Sequence, residues 1–211
     1  MSPRHKPIIG IAGGIGSGKS FVAQLFGELG CVVISSDEQV REAYRDPRVI
    51  RALQQWWGDD VLTTDGQVNK RLVAAKVFGQ PAERERLENL LHPMVNEARE
   101  RVMARAMDDP AVAAFVWDTP LLFETGLDKK CDAVVFVEAP QTVRLARVQG
   151  SRGWDAGELS RRENSQMPLD TKRKLSQYVL ENTADADAVR SQVRAVLSRI
   201  LERSVGKPDP V

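Results

Sequence analysis

Residues 13 to 20 read GGIGSGKS, directly after the apolar run IIGIA (Ile8 to Ala12) and directly before FVAQLFGEL. Four glycines, two serines and a lysine in this stretch cannot fill a hydrophobic interior. They can wrap an anion. Glycine tolerates positive φ and brings backbone N–H groups close to a ligand with no Cβ in the way. A helix that follows adds its own unpaired N–H groups and a partial positive charge. The spacing fits G-x-x-x-x-G-K-[ST], so the segment predicts a strand, a phosphate-cradling loop and a helix opening near Lys19. The backbone of Gly14, Ile15, Gly16, Ser17 and Gly18 would surround the phosphates of a nucleoside triphosphate. Lys19 reaches the outer phosphates, and the Ser20 hydroxyl is placed to ligate Mg²⁺.

The rest of the chain supports a fold of this kind. Short runs rich in Val and Ile, at Ile8–Ala12, Val32–Ser35, Ala113–Asp118, Ala133–Glu138 and Tyr178–Glu181, read as strands. The first, third and fourth are nearly continuous apolar runs, the pattern of strands covered on both faces. Helical patterns lie between them, so an α/β fold with a parallel five-stranded sheet is expected. At the C-terminus Val189, Val193, Val196, Leu197, Ile200 and Leu201 share one helical face.

Two segments interrupt the alternation. One, about 37–110, reads as helical with no strand, broken near His92-Pro93 because proline disfavours helix in the residue before it. The other, about 149–175, is highly charged and reads as a lid. The core would then be 8–36, 111–148 and 176–204 of a single domain. The tail, about 205–211, would have no fixed structure.

With 211 residues and 42% hydrophobic composition, the chain can bury one good core. A net charge of +1 gives no global field for nucleic acid or an anionic membrane, so neither is an expected partner. Cys31 and Cys131 lie far apart beside apolar runs, and His5 and His92 are the only histidines. Core thiols in a reducing, cytoplasmic setting are expected, rather than a disulfide or a zinc site. No run reaches the length of a membrane span, and the apolar stretch after MSPRHKP reads as a core strand rather than a signal peptide.

A phosphate loop serves several classes of protein, so other residues must choose among them. A guanine-nucleotide switch would want D-x-x-G and N-K-x-D; the chain has no D-x-x-G, and Asn69-Lys70 continues as Arg-Leu. A motor would use an acidic strand end, for which Asp118 is the candidate, but a small single domain gives it little to move. A kinase needs an acceptor site, a group to engage the acceptor hydroxyl and a cationic cover. Asp37 follows the second strand at the sheet edge where ligands bind in open α/β folds, and it can take up or orient a hydroxyl proton. It would also serve as an N-cap for EQVREAYR. Arg147, Arg152 and Arg162 are the preferred phosphate ligands of the lid, the remaining charges there forming a solvated face.

Several stretches together resemble the dephospho-CoA kinases: GGIGSGKS, Asp37 after its strand, LENLLHPMV (Leu87 to Val95), DTPLLFETG (Asp118 to Gly126) and QMPLDTKRKLSQYVLEN (Gln166 to Asn182). The resemblance implies a P-loop kinase of the nucleoside-monophosphate-kinase type that moves the ATP γ-phosphate to the ribose 3′-hydroxyl of dephospho-CoA. It implies that Asp37 lies beside that hydroxyl and that Leu121, Leu122 and Glu124 border the acceptor pocket. His92 and Pro93 would belong to the helical acceptor subdomain, Arg147 and Arg162 to the lid, and Asn182 to the adenine side. Mg²⁺ would sit at Ser20, with Asp118 a second candidate acting through water. On the residues alone, Leu121 and Leu122 also suit a core, and His92 suits a helix junction. The family pattern D-A-D is here Ser35-Ser36-Asp37, A-D-Y-V-I-D-N is Ser176 to Asn182 (SQYVLEN), and the usual threonine before the glycine pair is Ala12. These departures leave room for a kinase of another alcohol or nucleotide, or for an ATP-binding regulator without transfer.

Overall fold

A computed structural model of the protein describes residues 5–183 and 185–205. The tail GKPDPV, expected to lack fixed structure, lies outside them. The chain divides into two compact units: residues 36–104 form one, and the described residues on either side form the other.

The larger unit is built on a parallel sheet. Its strands are β1 (Ile8–Gly13), β2 (Val32–Ser35), β3 (Phe115–Asp118), β4 (Ala133–Glu138) and β5 (Tyr178–Glu181), in the order β2-β3-β1-β4-β5. Every pairing is parallel. The apolar runs behave as two-faced strands. In β4, Ala133, Val135 and Val137 enter one hydrophobic cluster while Val134 and Phe136 enter another. The first cluster is closed by α1 (Lys19–Glu28) through Val22, Leu25 and Phe26, and by α9 (Ala186–Val205) through Val193, Val196, Leu197 and Ile200. These are the C-terminal positions whose helical spacing predicts one buried face. Between β4 and β5 the chain forms α6 (Gln141–Arg152), α7 (Ala156–Glu163) and α8 (Leu169–Leu175).

The smaller unit holds α2 (Ser36–Ala43), α3 (Pro47–Trp57), α4 (Lys70–Val77) and most of α5 (Pro81–Ala106). Among its described residues a single bridge, Leu62 to Val68, replaces any strand. Val49, Leu53, Val61, Val73, Leu87 and Leu91 make its core. At the rim, Trp57 Nε1 donates to Glu83 at 2.9 Å and the Arg86 guanidinium lies 4.0 Å from the Trp56 ring centre.

The expected break at His92-Pro93 is absent: α5 runs through Pro93 without interruption. A proline inside a helix costs about 3 kcal/mol, largely through the missing N–H and the crowded preceding turn. Leu87, Leu91 and Val95, spaced four apart around it, are all buried. Each such side chain contributes about 1.5–3 kcal/mol on burial, so the apolar stripe outweighs the proline. His92 and Pro93 themselves face solvent.

Cys31 is buried and Cys131 partly so, and both are free thiols. Burial pushes the Cys31 thiol up to about 12, so it stays protonated at neutral pH. No described helix is long and apolar enough to cross a membrane. Ile11 is fully buried in the central strand. Ile11→Ala lowers stability by about 2–5 kcal/mol, read from the urea midpoint.

Candidate active site

The carboxyl end of β1 runs into the glycine loop, and α1 opens at Lys19 as the spacing predicts. Gly18 holds the turn into that helix at φ +88°, and a Cβ there would collide with Asn182 Nδ2. Only glycine meets both conditions. Lys19 Nζ donates to the carbonyls of Gly13 at 3.1 Å and Gly14 at 2.9 Å. Ser17 is fully buried, and its hydroxyl has no hydrogen-bond partner among the described residues. Its Oγ is packed against the start of the loop, where a Cβ on Gly13 would stand only 2.8 Å from it.

The outward carbonyls of the loop are held by side chains from distant segments. Asn182, buried just past β5, donates through Nδ2 to Ser17 O at 2.7 Å. Arg147 of α6 donates to Ser17 O at 3.1 Å and Gly16 O at 3.4 Å, and its other terminal nitrogen reaches Thr183 O at 3.0 Å. Because a peptide is planar and trans, a carbonyl pinned outward turns the next N–H inward. Arg147 and Asn182 therefore shape the loop from outside. Arg152 and Arg162 lie elsewhere, with guanidinium carbons 4.8 and 4.2 Å from the centre of the Trp154 ring. Arg162 also donates to Glu158 at 2.6 Å.

Beyond β3, the sites named from the sequence diverge. Asp118 ends the strand, buried, and pairs in register with Ile11 of β1 and Ser35 of β2. Leu122 is a core side chain, packed with Ala12, Val134 and Phe136, while its neighbour Leu121 is exposed. Glu124 accepts from Lys172 Nζ at 2.8 Å and from the Met167 N–H at 2.9 Å. Lys172, in a stretch that reads as a solvated charged face, is only 2% exposed. Burial pushes the Glu124 carboxyl up, but the bonds from Lys172 and Met167 outweigh it and hold it below the usual glutamate range.

In the smaller unit, Asp37 is exposed in the first turn of α2, two residues past the end of β2. It sits inside the helix rather than at the cap, where a carboxylate still complements the helix dipole. Two residues of the loop's surroundings escape sequence reasoning: Arg144 and its partner Glu163. Arg144 carried one signal, its position four before Val148 on the buried face of α6.

The oxygen donors suit Mg²⁺. Ser20 presents an exposed hydroxyl in the first turn of α1, and Asp118 ends the strand beside β1. Among the described residues no group of three or more His, Cys, Asp or Glu could hold a metal ion. A Mg²⁺ here would draw most of its ligands from phosphate oxygens and water, as this ion commonly does.

A parallel sheet in this order, with a glycine loop and helix N-terminus at the end of its central strand, defines a phosphate-loop kinase fold. The family model described as dephospho-CoA kinase matches residues 7–188. The dephospho-CoA kinase of Syntrophotalea carbinolica is 37% identical over 205 residues, 96% of either chain. The crystal structure of TT1252 from Thermus thermophilus superposes with a TM-score of 0.79 at 31% identity, covering 92% of this chain and 98% of that one. The dephospho-CoA kinase from Campylobacter jejuni has the same fold, with a TM-score of 0.67 at 21% identity over 93% of this chain and 98% of its own. The chain belongs to the dephospho-CoA kinase family.

Glu124 titrates lower in the folded state than the ordinary value of about 4.3. Its contribution is therefore complete above that value and is lost as pH falls through the folded one. Glu124→Gln costs about 1–3 kcal/mol at neutral pH, by leaving Lys172 short of a partner. That difference shrinks as the pH is lowered beneath the ordinary glutamate value, which urea titrations of both proteins at several pH values measure.

Proposed function

We propose that the protein is an ATP-dependent dephospho-CoA kinase, moving the γ-phosphate of ATP to the ribose 3′-hydroxyl to give coenzyme A and ADP. The observation that carries the reading is a phosphate loop on the central strand, in a chain that matches this family across residues 7–188. In this reading the backbone from Gly14 to Ser20 binds the triphosphate, and Lys19 leaves the loop carbonyls to meet the outer phosphates. Asp37 takes the proton of the 3′-hydroxyl. That oxygen bonds to the γ-phosphorus as the bond to the β–γ bridging oxygen breaks, and the electron pair leaves with ADP.

Arg152 and Arg162, drawn from Trp154, counter charge on the transferring group. Arg147 acts from behind the loop, and Asn182 closes the adenine side. Glu124, through Lys172, fixes the segment that presents Leu121 to the acceptor, and His92 and Pro93 belong to the helical acceptor unit. Mg²⁺ held at Ser20, with Asp118 reaching it through water, would supply charge neutralisation across the phosphates. A reducing, cytoplasmic setting suits two free thiols, one of them buried.

Purified protein with Mg-ATP and dephospho-CoA is expected to form coenzyme A and ADP in equal amounts. Asp37→Ala lowers kcat by about 10²- to 10⁴-fold while leaving the Kd for ATP within a few-fold. A folded sample with no turnover refutes the reading. Higher kcat/KM for another alcohol in an acceptor panel reassigns the acceptor and keeps the kinase.

A further inference from the structure

Arg144, the fourth residue of α6, is not needed for any step above, yet its side chain is only 7% exposed. A buried guanidinium is costly unless its donors are used. Those of Arg144 go to three different segments. Nε donates to Ala139 O at 3.2 Å, at the exit from β4. Nη1 donates to Ile15 O in the phosphate loop at 3.4 Å, and the same nitrogen pairs with the carboxylate of Glu163. The guanidinium also lies flat against the loop: a Cβ on Gly14 would stand 2.9 Å from Nη1. Glu163 is the last residue of α7, and Arg161 and Arg162 immediately precede it.

We infer that Arg144 and Glu163 are positioning residues that couple the phosphate loop to α7, so that a nucleotide diphosphate or triphosphate in the loop orders the helix carrying Arg162. The inference rests on the nucleotide-binding part of the reading above and adds a route by which the loop acts on the lid. One nitrogen serves both Ile15 O and Glu163, so a change at the first is felt at the second. The Ile15 contact is the longest of the set and has room to tighten when the loop's N–H groups take an anion, since bonded peptide groups polarise one another. A cavity of about 140 Å³ borders Gly14, Arg144, Asp170 and Arg173, which leaves the guanidinium space to shift. An ion pair serving stability alone would need Glu163 and no contact with the loop.

The test follows amide hydrogen exchange in residues 156–163 with and without ADP, in the parent, Glu163→Gln, Arg144→Lys and the double variant. In the parent, saturating ADP is expected to slow exchange there by about tenfold, a coupling of ordinary size. In Glu163→Gln this protection disappears, the Kd for ADP rises by a matching factor of about tenfold because the coupling is reciprocal, and thermal unfolding remains cooperative. In turnover, Glu163→Gln lowers kcat more than it raises KM for ATP, and the double variant loses no more than the worse single one.

An unprotected parent overturns the inference, and so does a Glu163→Gln protein that keeps its protection. Additive losses in the double variant also overturn it. Arg144→Lys, which keeps the charge but cannot reach all three partners, carries the same test should Glu163→Gln fold poorly. ADP-induced protection without any coenzyme A formed would sink the acceptor assignment and leave the coupling intact. Coenzyme A formed with no protection of α7 would do the reverse.

Discussion

Strand β1 is hydrogen-bonded along both edges, to β3 on one side and β4 on the other. This double pairing sets the level at which Gly13 leaves the sheet. On the far side of the loop, α1 must lie back over the sheet to bury Val22, Leu25 and Phe26. The loop is thus clamped at both ends by well-buried elements. Peptide N–H groups stabilise a phosphate only when they are already aimed at it and need no reorganisation. The strand pairing and the helix packing supply that rigidity, and the rest of the site is arranged around it.

Behind the loop is a second layer with a sign of its own. Three successive carbonyls, of Ile15, Gly16 and Ser17, receive bonds from Arg144, Arg147 and Asn182. Two of those donors are permanently cationic, so the loop is backed by positive charge as well as braced. The molecule's net charge of +1 gives no hint of this. Local fields depend on where charges sit, and here two guanidinium groups, one of them paired with Glu163, are held against the loop carbonyls.

Much of this was legible in the residues. All five strands fall where apolar runs place them, because strands covered on both faces carry little else. The loop was legible because few backbones other than an anion cradle need glycine so densely. What escaped was context. Arg144 and Lys172 stand in charged helices and read as solvated, yet both are buried, each with a carboxylate partner from another segment. No local pattern announces a partner 19 or 48 residues away. Pro93 reads as a helix end because its cost is local, while the burial of Leu87, Leu91 and Val95 that offsets it depends on the rest of the unit. Leu122 and Leu121 are the same residue type side by side, and only tertiary packing decides which is core.

The Glu124–Lys172 pair constrains how this protein can drift. Its two ends are unequal: Lys172 is buried, whereas Glu124 is an exposed residue and also holds the Met167 N–H. Replacing Glu124 alone therefore leaves an ammonium in the interior without its carboxylate, while replacing Lys172 alone leaves a carboxylate that water can still reach. The two positions, 48 apart in the chain, constrain the order of change: the lysine can be given up first far more cheaply than the glutamate.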